Sequence, residues 1–258
     1  MQITQDFIPV GCNNRKGVKL SGIKGLVIHW IGVAQPNAKV IRNNFASVNG
    51  RVGATQYIID YNTGEIIQTM PENEMTYHVG NETYTRLKQI RLGSGNPNFK
   101  LVGIECCINK NDVITNDYAN KKTNKELGKP SDIQYEKLVE FSADFLLRYK
   151  LTTDNLYRHY DITGKACHVY FYKNEDEWEK FKKDVQEKME ELQMVRYQAL
   201  EEIPEWYKPT IEKLVNAKIL SGNGKGLDLS EDNARQWTMM DRLGVLDFFV
   251  ERRNNNAE

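Results

Sequence analysis

The sequence predicts an α/β protein, with a central mixed β-sheet flanked by helices and a small, mainly helical domain at the C-terminus. Two short apolar runs, residues 25–30 and 101–108, have the length and continuity of strands buried on both faces. Around them lie segments whose apolar residues recur at helical spacing. Beyond Asn174 the composition shifts to dense mixed charge and then to a second, separate apolar pattern.

The elements follow in order. Residues 25–30 form the first buried strand, with His29 near its end. Residues 37–49 carry Val40, Ile41, Phe45 and Val48 at helical spacing. Residues 56–60 and 65–69 flank a turn-like segment that ends in Gly64, which predicts a hairpin. Residues 101–108 form another strand. A helix over 132–149 presents Ile133, Leu138, Phe141, Phe145 and Leu146 on one stripe, with Ser131 as its N-cap. The order strand, helix, hairpin, strand, helix suggests a sheet covered by helices. Residues 80–100 and 109–130 are polar and irregular, and loops this long read as groove walls.

From 174 to 202, Trp178, Phe181, Val185, Met189 and Leu192 predict one amphipathic helix that closes the first domain and runs on as a linker. Its many charges read as a solvated face. The expected boundaries are 1–180 for the main domain, 181–202 for the helical linker and 203–258 for the C-terminal domain. That last unit contains Trp206, Ile211, Leu214 and Val215, a loop over 221–226, and a second helical stretch ending at 243–246. It is near the lower size limit for folding alone, so support from self-association or from contact with the main domain is expected.

Composition narrows the function classes. Hydrophobic residues make up 40% and charged residues 27%, as in a folded globular protein. Lys+Arg and Asp+Glu are equal at 35 each, so no global field favours nucleic acid or an anionic membrane. No stretch approaches the roughly 18–20 apolar residues of a membrane span. The N-terminus lacks the basic and apolar pattern of a secretory signal, which predicts synthesis in the cytoplasm and release by another route. The four cysteines do not look like a disulfide framework. Cys106 and Cys107, adjacent in a strand, should point to opposite faces as buried thiols.

All four histidines (His29, His78, His159 and His168) lie in the first domain. His29 alone would read as a hydrogen-bonded strand residue. His159, however, is followed eight residues later by Cys167, and a Gly-containing loop between them can fold back on itself. Two imidazoles and a thiolate are three of the four ligands zinc prefers, leaving one position for water. The spacing by itself is not a specific zinc signature.

Four stretches, Val27-Ile28-His29-Trp30, Tyr77-His78-Val79-Gly80-Asn81, Val102-Gly103-Ile104-Glu105 and Arg158-His159-Tyr160-Asp161 with Lys165-Ala166-Cys167, resemble in order the zinc N-acetylmuramoyl-L-alanine amidases. That family includes phage endolysins, bacterial cell-wall amidases and related peptidoglycan recognition proteins. The resemblance covers about residues 20–172. It implies that His29, His159 and Cys167 bind Zn²⁺, and that Glu105 takes a proton from a zinc-activated water and passes it to the leaving amine. It further implies that Lys165 stabilises the oxyanion and that His78 contacts substrate, although a structural hydrogen bond is the competing reading of His78. The bond cut would join N-acetylmuramic acid to L-alanine of the peptidoglycan stem peptide.

Departures from the family pattern also matter. Thr55 stands where some relatives place a tyrosine, which suggests the glutamate-using branch. His168 follows the cysteine where many members carry proline, and reads as surface or structural. Asp161 reads as support for its loop or for a ligand. The C-terminal unit is similar to half of an S-layer-homology-type wall-binding repeat, with Asn233-Ala234-Arg235-Gln236-Trp237 in place of the usual signature. Wall binding is expected of it, with a helical module for homo-oligomerisation as the alternative, and the two are compatible. Met194 could serve as an internal start. A non-catalytic recognition protein on the same fold and a zinc peptidase are the alternatives. The missing signal and the two-part layout favour a bacteriolytic, phage-lysis enzyme acting on the cell wall.

Overall fold

The computed structural model describes residues 2–47 and 53–255. The chain forms two compact units, Met1–Met189 and Glu190–Glu258. The first unit runs β1 (Ile3–Gln5), β2 (Leu26–Trp30), α1 (Ala38–Ala46), β3 (Tyr57–Ile59), β4 (Ile66–Gln68), α2 (Arg86–Leu92) and β5 (Val102–Cys106). It continues with α3 (Asp132–Arg148), β6 (Leu156–Arg158), α4 (His159–Thr163), α5 (Val169–Lys173) and α6 (Glu175–Gln193).

Its strands form one mixed sheet in the order β1-β4-β3-β5-β2-β6. β3 and β4 pair antiparallel, as the hairpin pattern predicts, and the other pairs are parallel. The central strands β2 and β5 run in register, Leu26 beside Val102 and His29 beside Glu105. Alternation along them sorts the side chains between two faces. Leu26, Ile28, Val102, Ile104 and Cys106 join Phe141 and Phe145 of α3, Phe171 of α5 and Phe181 of α6 in the main core. Burying each of these phenylalanines contributes about 1.5–3 kcal/mol, so this face carries most of the stability. Val27 packs on the opposite face with Val79, Leu101 and Tyr157. Cys107 joins Ala38 and Ile41 there while Cys106 lies in the main core, so the adjacent thiols do point apart. All four cysteines are free and buried.

Ser131 caps α3 as expected, its side chain accepting from the Gln134 amide. Other expectations need correction. The edge strands β1 and β6 were not anticipated, because three residues are too few to show a period. Residues 80–100 are not wholly irregular: Thr85 caps α2, which buries only Lys88 and Leu92, so its apolar signal is faint. In α1, Ala38 and Ile41 face inward whereas Val40 is exposed. Val48 and Asn49, assigned to that helix from the sequence, lie outside the described residues. Ile133 sits at the exposed margin of α3.

α6 ends at Gln193, so residues 174–202 are not a single helix. Phe181, Val185 and Met189 belong to the first core, while Tyr197 and Ile203 belong to the second. The segment expected as a linker is therefore divided between two cores.

The second unit comprises β7 (Arg196–Tyr197), α7 (Lys208–Asn216), β8 (Leu229–Ser230), α8 (Glu231–Arg242) and α9 (Val245–Asn255). β7 and β8 pair antiparallel beside a core of Tyr197, Ile203, Tyr207, Ile211, Leu214, Leu229, Ala234 and Leu246. The helical stretch expected to run through 246 breaks at Gly244, whose φ of 72° suits glycine and starts α9 as a new helix. Among the described residues, no helix is long and apolar enough to cross a membrane.

Candidate metal centre

The alternation that builds the main core also builds the site. His29 and Glu105 are register partners on β2 and β5, and both project from the face opposite the aromatic core. They open into a groove of about 980 Å³, which His78, His159, Lys165 and Cys167 also line. Gly80, Asn98 and Tyr118 contribute to its walls, so each of the two polar segments read as walls reaches it.

His159 and Cys167 arrive through a braced loop. β6 delivers Arg158, and α4 begins at His159. Gly164, at φ 78°, terminates α4 and turns the chain back, and the Tyr160 amide donates to the Cys167 carbonyl at 2.7 Å. Asp161 accepts from the Arg158 amide at 2.7 Å and from its Nη2 at 2.9 Å. The same guanidinium donates to Glu175 Oε2 at 2.7 Å and to the Phe171 carbonyl at 3.0 Å. Asp161 thus supports the loop through Arg158. The sequence offers one signal for this role of Arg158, its adjacency to His159.

The donor atoms of His29, His159 and Cys167 all lie within 4.8 Å of one another. Cys167 Sγ is 3.6 Å from His29 Nδ1, and the His29 and His159 ring centroids are 4.9 Å apart. His29 Nε2 is occupied elsewhere, 2.9 Å from His78 Nδ1, and His78 Nε2 is 3.3 Å from the Leu101 carbonyl. A carbonyl only accepts, so His78 Nε2 carries its proton. Burial lowers the His78 pKa to about 4, leaving the ring neutral with Nδ1 as an acceptor. His29 then donates through Nε2–H, which frees Nδ1 on the cluster side. This tautomer is assigned from the network. Both His78 nitrogens are engaged inside the protein, while the residue also lines the groove.

Gly103 makes room for this pair. A Cβ there would meet His78 Nδ1 and Thr55 Cγ2, each at 2.7 Å. Thr55 is buried, its hydroxyl donating to the Tyr57 carbonyl at 2.7 Å. His168 is fully buried against Phe171, with centroids 4.9 Å apart, so it is not a surface residue. Neither of its ring nitrogens finds a partner among the described residues, and the structure offers no reason for that.

The electrostatics fit a cation. Burial lowers His159 to about 3, helped by Lys165, and drives His29 well below its usual range. Both imidazoles are therefore neutral, the form that ligates metals. Burial pushes the Cys167 thiol up to about 12 against the pull of the Trp30 backbone and Lys165, and a cation at the cluster would favour its thiolate further. Glu105 is raised to about 8 by burial, with Lys165 acting in the opposite direction. Its Oε2 is buried without a hydrogen-bond partner among the described residues. Lys165 is exposed. The donor set of two nitrogens and one sulfur suits zinc.

Residues 19–169 match the family model described as N-acetylmuramoyl-L-alanine amidase. The chain belongs to that family. Among curated relatives of this amidase family, it is 25% identical over 189 residues to N-acetylmuramoyl-L-alanine amidase CwlL of Bacillus licheniformis. It is 29% identical over 197 residues to N-acetylmuramoyl-L-alanine amidase BlyA of Bacillus subtilis strain 168. Each match covers 72% of this chain and 47% of the relative, so the chain spans about half the length of the curated relatives it matches. The catalytic domain of XlyA superposes with a TM-score of 0.52 at 21% identity, over 72% of this chain and 99% of that one. PlyL superposes at 0.53 with 16% identity, over 72% of this chain and 98% of that one. These likenesses establish the amidase fold for the first unit.

Proposed function

We propose that the chain hydrolyses the amide between the lactyl group of N-acetylmuramic acid and L-alanine of the peptidoglycan stem peptide. The observation that carries this reading is the convergence of His29, His159 and Cys167 in the groove that Glu105 also lines. Those three side chains would hold Zn²⁺, which when bound supplies an activated water and polarises the scissile carbonyl.

The chain's own groups account for the protons and charge. Glu105 accepts one proton as the water oxygen bonds to the lactyl carbon. A cation held by His29, His159 and Cys167 would favour the Glu105 carboxylate over the protonated form that burial favours, and the proton it takes passes to the alanine nitrogen as the C–N bond breaks. Lys165 lies at the groove with a cationic head that offsets charge on the carbonyl oxygen. His78 holds the His29 ring so that Nδ1 addresses the cluster, a positioning role. The products are a lactyl carboxylate and a free alanine amino terminus.

The second unit would hold the enzyme on the wall, where the proposed cleavage takes place. The test is digestion of purified Gram-positive cell walls, with zinc measured on the same sample. Intact protein should release alanine amino termini without new reducing sugar ends and should carry about one zinc. Glu105→Gln should keep the zinc and lose the cleavage, and Cys167→Ser should lose both. Reducing ends would overturn the bond assignment, and a zinc-loaded protein inert on several wall types would favour recognition without catalysis.

A further inference from the structure

The second unit leaves an apolar surface that its own core does not use. α9 carries Val245, Leu246, Phe248, Phe249 and Val250, yet of the large apolar residues in it Leu246 alone is fully buried. Phe248 is 61% exposed, Phe249 50% and Leu243, just before the helix, 77%. A contiguous apolar surface on a unit this small marks an interaction site. Beside it lies a pocket of about 430 Å³, walled by Leu214, Ile219, Trp237, Met240 and Phe249. Phe248 projects next to the pocket wall, its ring centroid 5.6 Å from that of Phe249 at 82°. The unit thus presents an aromatic knob and an aromatic-lined hole side by side.

We infer that this surface receives a second copy of the chain, through a two-fold pairing in which Phe248 of each copy enters the pocket of the other. Such a self-complementary knob and hole is what an isologous interface requires. The charges agree with it. α9 bears Asp247 near its start and Arg252 and Arg253 near its end. A two-fold contact about the middle of α9 runs the helices antiparallel, setting the arginines of each against the acidic start of the other. No carboxylate lies within ion-pair distance of Arg252 or Arg253 among the described residues, whereas Lys213 already joins Asp247 and Asp241. Among the described residues the cationic pair at the pocket rim thus has no carboxylate partner, and the antiparallel copy would bring Asp247 towards it. Dimerisation also doubles the number of wall-binding units per particle, which raises avidity for a polymer. The inference itself does not rest on the amidase reading.

The full chain is tested by sedimentation and light scattering across a concentration series. A species of twice the 29.9 kDa chain mass is expected at micromolar concentration. Phe248→Asp should move it to the monomer, with at least a tenfold weaker dissociation constant, while Phe248→Tyr should keep the dimer. Because Phe248 is largely exposed, circular dichroism and thermal unfolding of both variants should match the parent. If Phe248→Asp unfolds the unit, Arg252→Glu with Arg253→Glu addresses the same interface from its charged rim and should also yield monomer. A monomeric parent at tens of micromolar overturns the inference. So does a dimer that survives both sets of substitutions, or a monomer that instead partitions onto phosphatidylglycerol vesicles through α9.

Discussion

At the scale of single residues, the site depends on side chains that never touch a metal. Gly103 is the sharpest case: with His78 Nδ1 only 2.7 Å from where a Cβ would stand, Gly103→Ala must displace the ring that orients His29. Zinc affinity should fall about 10–100-fold, as when an outer partner of a ligand is lost, and competition with a chromogenic chelator would measure it. Retained affinity would mean that His78 does not hold the tautomer. Glu105→Gln, in contrast, should leave zinc content unchanged and lower kcat by about 10²–10⁴, because it removes the proton carrier and not a ligand. The two variants separate holding the ion from moving the proton.

At the scale of elements, caps and braces decide whether the site is delivered intact. The Ser131 hydroxyl caps α3 and also donates to the Tyr61 carbonyl, joining this helix to the hairpin turn. Ser131→Ala should cost about 1–2 kcal/mol, visible as a lower Tm with unchanged zinc content. Asp161→Asn should act differently. It weakens the brace on Arg158, whose guanidinium ties the loop between His159 and Cys167 to Glu175 of α6. Activity and zinc retention should fall further than stability does, because the loop that carries two donors loosens while the main core remains. Ser131 could be read as a cap from its position before an amphipathic stripe. The part played by Arg158 could not, since its partners Phe171 and Glu175 lie 13 and 17 residues further along the chain.

At the scale of the whole molecule, the N-terminal segment is tied to the sheet by a buried ion pair. Arg15 Nε lies 2.8 Å from Glu74 Oε2, and Arg15 Nη1 donates to the Ile8 carbonyl at 2.7 Å. Hydrogen bonding from Arg15 holds the Glu74 carboxyl below the usual carboxylate range. A depressed folded-state pKa gives stability that is present above the unfolded value and is lost as pH falls through the folded one. The first unit should therefore lose Tm as pH falls below about 4.3, the ordinary glutamate value. Glu74→Gln should have a lower Tm at neutral pH and a shallower acid slope, and scanning calorimetry from pH 7 to pH 3 would show both. Calorimetry also tests the two-core organisation: removing zinc with a chelator should lower the transition of the first unit and leave that of the second in place.

Much of this architecture could be read from sequence wherever a period was long enough to be seen. The strands holding His29 and Glu105, the hairpin and the capped α3 all announce themselves locally, through apolar continuity, turn residues and helical spacing. Four separate motifs, agreeing in order, nominate the site residues. The edge strands β1 and β6, the faint helix α2 and the split of 174–202 between two cores were not, because each depends on partners distant in the chain. Sequence alone could also set His29, His159 and Cys167 beside one another as candidate donors. Only the tertiary structure decided which nitrogen of His29 faces the cluster, because that follows from a hydrogen-bond chain through His78 to the Leu101 carbonyl. It also decided that Glu105 is half-buried with one oxygen unpartnered among the described residues, since burial and pairing are properties of the packed chain and not of any one segment.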